Sequence, residues 1–532
     1  MTGTLSLVRL ALRRDRVIMP LWVVLIAVVP VSYVTSIGDL YPTDAARAQF
    51  AATTGNSAAF VTLYGRLYGS SLGELVTWRG GFIPVMVGLI SLLTVLRHTR
   101  TDEEAGRREL VGATVVGRHA TLAAALVATV LANLALGGLS ALILTSQGLE
   151  AHGSLAYGAQ LISAGLVFAA VGAVAAQLTT GAGSARGIGI SVLGAAYLVR
   201  VVGDLGAMAG GDLSWFTWVS PLGWVTEMRP FGQERWWIPT LAVGVALALM
   251  VVAVALSARR DVGAGLLPSR LGPASAGPLL RSPLALAWRL HRGLLLAWAA
   301  GFAALGLVFG SITRSVGDML GDNAALQEVF VRMGGTQGLI DAYLSAIMGI
   351  LGLIASAYAI QAALKLRAEE ASLRAEPLLA TRVGRLRWAG SHLFFALLGP
   401  ATVLAVAGVT TGLTHGLNTG DVGRELPRVL GATLAQLPAV WTLAAVAIAL
   451  FGLLPRLAVL AWAALALCLL ITLIGPILQL DQVFLDVSPF THIPKVPAAA
   501  LTATPLLWLT AVAAALLATG LAGLRRRDIP VP

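Results

Sequence analysis

Long apolar runs separated by short polar stretches set the rhythm of this chain. A run of about 20 apolar residues crosses a bilayer as a helix. Twelve such runs occur, at roughly 17–37, 76–96, 120–144, 155–178, 186–206, 238–258, 293–312, 343–364, 390–413, 429–453, 456–477 and 503–524. They are continuously apolar rather than alternating, which excludes the strands of an outer-membrane barrel. The first run is too long for the core of a signal peptide and lacks a small-residue cleavage site, so it is expected to remain as a membrane helix. The pattern therefore predicts an all-α polytopic membrane protein with twelve transmembrane helices.

Composition points the same way. Only 12% of the 532 residues are charged and 57% are hydrophobic, where a soluble domain carries about 25% charged residues. The net charge of +11 matters through its distribution. With the N-terminus inside, 26 of the 37 bases and 10 of the 26 acids fall on the inner side. Positive charge retained on the cytoplasmic face is the usual topological bias, so both termini are expected in the cytoplasm. The bases are scattered between spans rather than massed in one domain, which argues against a nucleic-acid partner. One cysteine, Cys468, excludes a disulfide framework and a cysteine-based metal site. The histidines form no His-Glu-x-x-His motif, and no metal is expected.

Short matches recur at a nearly constant offset. Glu103-Glu104-Ala105 matches Glu369-Glu370-Ala371, and Gly117-Arg118 matches Gly384-Arg385. Val219-Ser220-Pro221 matches Val487-Ser488-Pro489, and Arg259-Arg260-Asp261 matches Arg526-Arg527-Asp528. The offsets are 266, 267, 268 and 267. The chain thus reads as two six-span halves, 1–262 and 287–532, joined by a cytoplasmic linker, 263–286, rich in proline and glycine and expected to be irregular. An even number of spans per half makes them parallel repeats.

ATP is not expected to bind to this chain by a P-loop. That motif requires a lysine after glycine, and the two lysines, Lys365 and Lys495, follow leucine and proline. The largest loops on the inner side, 97–119 and 365–388, follow the second and eighth spans. Each begins as a charged helical extension of its span, carries the double glutamate, then a further acid, then a small apolar segment before Gly-Arg. Anionic lipid repels glutamates, so their presence on this face suits a docking surface for a cytoplasmic protein. The plain alternative is a solvated helix with i,i+4 pairs, Glu103–Arg107 and Glu104–Arg108.

The Glu-Glu-Ala-Gly…Glu-Leu…Gly-Arg loop resembles the coupling-helix region of type 2 ABC exporter permeases. The Arg-rich N-terminus from Leu5 to Arg16 resembles their elbow helix, and the doubled arrangement resembles actinobacterial twelve-span permeases of polyketide-antibiotic and multidrug exporters. The resemblance implies the permease subunit of an ATP-driven exporter in the bacterial plasma membrane, not itself an enzyme. It implies two copies of a cytoplasmic ABC ATPase subunit, which carry the ATP and Mg, and a hydrophobic small-molecule substrate. By the same carry-over the coupling positions are Glu103, Glu104, Glu109 and Arg118, then Glu369, Glu370, Glu376 and Arg385. In this register Ser372 replaces Gly106 and one residue is inserted before Gly384, so the two docking sites are expected to be unequal.

On the opposite side, 38–75 and 313–342 are expected to hold short amphipathic helices, and 207–237 and 478–502 are rich in interfacial aromatics. In the resembled family such segments form re-entrant helices closing the outer end of the path. Arg200 and Asp204 lie four apart on the fifth span, where paired charges line a path or snorkel to water. By resemblance, spans one, two, five, seven, eight and eleven line the cavity, with Phe82, Met86, Tyr197, Met348 and Tyr358 as candidates. The rival reading is an ion-coupled secondary transporter with no ATPase. It calls for acids at mid-membrane, and no Asp or Glu lies centrally in any run.

Overall fold

The computed structural model describes residues 2–55, 57–208, 211–267, 274–275, 277, 280–321, 335–474 and 481–528. All regular elements among them are helices. Twelve of these are long and apolar enough to cross a membrane. The chain divides into two compact units, Met1–Gly272 and Pro273–Pro532.

In the first unit the spans are Ile18–Leu40, Ile83–Glu104, Ala120–Ser146, Ala151–Leu178, Ala182–Met208 and Trp237–Ala258. The fourth is the most buried and packs against the second, third and sixth. Its small residues make this possible: a Cβ on Gly158 would sit 2.5 Å from the carbonyl oxygen of Gly137 on the third span. In the second unit the spans are Pro283–Ser311, Ile340–Ala371, Arg385–Thr419, Val422–Leu453, Pro455–Thr472 and Ala503–Arg526. Here the seventh lies along the ninth, and the tenth packs on the twelfth. The sixth and twelfth spans keep most of their apolar surface exposed, with Val251 at 68% and Trp508 at 70%. Apolar surface on that scale requires lipid rather than water as its solvent. The chain is a multi-pass membrane protein.

The boundaries differ from the hydropathy reading where polar groups find partners within the chain. The second span starts at Ile83, not 76. A separate helix, Leu72–Arg79, precedes it, closed by a capping box between Ser71 and Glu74. At its other end the same span continues as helix through Arg97–Thr101 to Glu104. The seventh starts at Pro283 and not near 293, so the last residues of the proposed linker are helical. The start of that stretch is also ordered: the Leu266 and Leu267 amides donate to the carbonyls of Gln177 and Leu178.

Short helices fill the remaining segments. Asp44–Thr54 and Ala58–Tyr64 lie between the first two spans, and Phe216–Val219 and Pro221–Thr226 precede the sixth. The central part of 313–342 lies outside the described residues, as does the end of the expected run 456–477.

Candidate functional site

The double glutamate sits where the second span ends. After the π-helical turn Arg97–Thr101, the chain passes through Asp102–Glu104 and turns at Gly106, whose φ is 71°. Glycine tolerates that left-handed backbone. A short helix, Arg107–Gly112, follows. The turn points Glu103 inward. Its carboxylate accepts a two-pronged bond from Arg260, at 2.6 and 2.9 Å, and a third from the Gly263 amide at 2.6 Å. Arg108 donates at 2.9 Å, and Arg100 lies 3.1 Å away. Both Glu103 and Arg260 are buried, and Arg260 Nε donates to Gln177. Fork-to-carboxylate geometry fixes orientation as well as distance.

Neighbouring groups brace the same turn. Arg118 donates to the carbonyls of Ala258, at 2.8 Å, and Arg260, closing the end of the sixth span. Glu104 accepts from the Ala182 amide at 2.8 Å, at the start of the fifth span. Asp102 accepts two bonds from Arg14 of the N-terminal helix Thr4–Arg14 and pairs with Arg107. The hydrogen bond to Asp102 raises the Arg14 guanidinium above its ordinary pKa. The expected i,i+4 pairs are therefore not those formed.

The second unit repeats the arrangement in register. Arg527 donates to both oxygens of the buried Glu370, at 2.7 and 2.5 Å. Arg385 donates to the Arg527 carbonyl at 2.6 Å. Each Glu–Arg pair spans 157 positions, and each Arg-to-carbonyl bond spans 142. The structural partner of Glu103 is thus Glu370, one residue later than the Glu-Glu-Ala match implies. The backbone agrees: Leu373, at φ 60°, stands where Gly106 stands. The insertion expected before Gly384 vanishes, and Leu373 rather than Ser372 replaces Gly106. Glu109 and Glu376 also correspond, both exposed, on Arg107–Gly112 and Ala375–Leu379. Glu369 is buried and held more loosely, with Lys365 at 3.7 Å and Arg374 at 3.8 Å.

At the opposite end of the first unit, Arg200 and Asp204 do not snorkel. Both are buried, 3.7 Å apart. Arg200 and Tyr197 both donate to the Thr62 carbonyl, and Thr217 donates to Asp204. The pair therefore ties two short helices, Ala58–Tyr64 and Phe216–Val219, to the fifth span. Ser220 adds a bond to the Ala196 carbonyl at 2.6 Å. Beside it Tyr68 donates to Glu227, which also holds Arg229 and Arg235. Burial, and then the Glu227 charge, push the Tyr68 hydroxyl well above its usual range. Phe82 and Met86 are partly exposed, and Phe82 meets Tyr197 edge to face. Met348 and Tyr358 are fully buried. Thr433 donates to the Met348 sulfur, and Tyr358 bonds the Phe395 carbonyl.

Residues 280–525 match the family model described as the C-terminal domain of multidrug efflux system permease Rv1217c. The chain is 46% identical over 529 residues to the multidrug efflux system permease protein Rv1217c of Mycobacterium tuberculosis (strain ATCC 25618 / H37Rv), covering 99% of this chain and 95% of that protein. The chain belongs to this family of multidrug efflux system permeases.

As a permease it is a transport subunit, and the chemistry legible in its residues is that of mechanical linkage. In each unit one carboxylate ties the end of the second or eighth span to the end of the last span. The paired glutamates are visible in the sequence, but Arg260 and Arg527 are read there as part of a repeat and not as their partners. The signal was present: both lie in the repeated Arg-Arg-Asp, at offset 267. What hydropathy lacks is the reason for burial, since a desolvated glutamate demands a cation from elsewhere in the chain.

Proposed function

We propose that this permease is the transmembrane subunit of an ATP-driven exporter of apolar or amphipathic compounds. Two cytoplasmic ATPase subunits dock on it, one under Arg107–Gly112 and one under Ala375–Leu379. The carrying observation is the recurrence, in one register, of a latch behind each short helix: Glu103 with Arg260, and Glu370 with Arg527. The exposed Glu109 and Glu376 supply charge that sets docking register, and the exposed Leu110 supplies apolar contact. The basic end faces the cytoplasm in this reading, as the charge asymmetry favours.

ATP and Mg, held by the partners, supply the free energy. Each short helix is joined directly to the second or eighth span, and through its latch to the sixth or twelfth. A displacement imposed at the helix is therefore delivered to several spans together, shifting the balance between two conformations. The family's name supports drug-like cargo. The test is transport by the complex reconstituted in vesicles. Accumulation of a fluorescent amphipathic cation is expected to require hydrolysable ATP and to survive an uncoupler. Accumulation that persists without ATP and collapses with the uncoupler would establish a secondary transporter instead.

A further inference from the structure

The basic end of the first unit holds a cavity of about 270 Å³, near the lower size limit of small-molecule pockets. Its walls are apolar: Leu7 and Leu10 from the N-terminal helix, Leu110 and Val111 from the short helix, and Leu122 and Ala125 from the third span. Five arginines line it as well, Arg14, Arg107, Arg108, Arg118 and Arg260, against a single lining carboxylate, Asp102.

Asp102 is shared by Arg14 and Arg107. Glu103 lies behind the lining and is shared by Arg108, Arg260 and Arg100. Arg118 donates to backbone carbonyls. Five arginines thus divide two carboxylates, Arg118 adds a sixth positive charge, and the excess surrounds an apolar hollow. Nearby Asp15 is paired with Arg97 and His98 and adds only a lesser charge interaction with Arg14.

We propose that this cavity binds one anionic glycerophospholipid from the inner leaflet. The phosphate sits among Arg14, Arg107 and Arg118, and an acyl chain runs along the leucines. A soluble anion has no use for the apolar walls, and a zwitterionic lipid brings no net charge to the arginines. The N-terminal helix carries four leucines and three arginines and leaves Leu5 and Leu10 exposed, as a helix lying at the bilayer surface does. Basic pockets at that depth are suited to acidic headgroups. The site adjoins the Glu103 latch, so lipid composition bears on the same linkage that carries coupling. This rests on the orientation assigned above.

The experiment is native mass spectrometry of the full chain in detergent, titrated with phosphatidylglycerol or phosphatidylcholine. One phosphatidylglycerol is expected to be retained in preference to phosphatidylcholine. An arginine near acidic lipid is worth roughly fivefold in affinity, so Arg14→Gln with Arg107→Gln predicts a loss of about thirtyfold for phosphatidylglycerol alone. Leu10→Ser trims the apolar wall at an exposed position, leaves every charge in place, and is expected to weaken retention while unfolding at the temperature of the wild type. Equal retention of the two lipids, or undiminished phosphatidylglycerol in both variants, overturns the proposal. Displacement by millimolar inorganic phosphate also overturns it, in favour of a soluble-anion site. ATPase co-purification, measured on the same preparations, reports on the docking reading separately.

Discussion

Replacing Glu103 with alanine leaves Arg100, Arg108 and Arg260 facing one another without a carboxylate between them. Removing one partner of a buried ion pair costs about 3–5 kcal/mol, so Glu103→Ala is expected to lower the Tm of the detergent-purified permease markedly. Near-native thermal stability would show that the pair is dispensable. The two latches differ in a way that a charge swap exposes. Glu370 has its ion pair with Arg527 among the described residues, so Glu370→Arg with Arg527→Glu is expected to recover part of the stability lost by either change alone. Glu103→Arg with Arg260→Glu recovers less, because Arg100 and Arg108 still point at position 103. From sequence these pairs could be reached only through the repeat, because partners 157 positions apart carry no local pattern. Arg200 and Asp204 were legible as a pair from their spacing alone, but their shielding by Thr62 and Thr217 was not.

Elements were read well where length and hydropathy decide them, and less well where side chains extend or interrupt a helix. Among the described residues each of the twelve expected runs has a membrane-length helix. The second span nevertheless runs past Arg97 to Glu104, because its charged residues are satisfied by the end of the N-terminal helix and by Arg260 after the sixth span rather than by water. The break ahead of Ile83 was hidden because Val76, Thr77 and Trp78 at the end of Leu72–Arg79 read as the start of the apolar run, although Arg79, Gly80 and Gly81 separate them from it. The turn after each double glutamate offers a test at this scale. Leu373 occupies the left-handed region that Gly106 occupies in the first unit, and its side chain is 41% exposed. A non-glycine residue there costs roughly 1–2 kcal/mol, partly offset by glycine's greater freedom in the unfolded chain. Leu373→Gly is therefore expected to raise Tm slightly, whereas Gly106→Leu lowers it. A loss of stability in Leu373→Gly would mean that the leucine contributes packing exceeding the strain.

For the whole molecule, the near-constant offset of the four short matches carried more information than any single motif. It pointed to a doubled chain, and in the structure Glu103 and Glu370, Gly106 and Leu373, and Arg260 and Arg527 correspond at an offset of 267. That correction alters which residues are free to meet a proposed docking partner. The buried glutamates hold the loop in place, while Glu109 and Glu376 are the acids left facing outward on the short helices. The central claim, one ATPase subunit under each short helix, is tested most directly by the mass of the intact complex. The affinity-tagged permease, expressed from its native locus and purified in mild detergent, is predicted to carry two P-loop ATPase subunits. Glu109→Lys or Glu376→Lys should weaken one site each, and the double variant should leave the permease alone while its Tm stays near wild type. A wild-type permease that carries no ATPase, or a double variant that still carries two, would contradict the account.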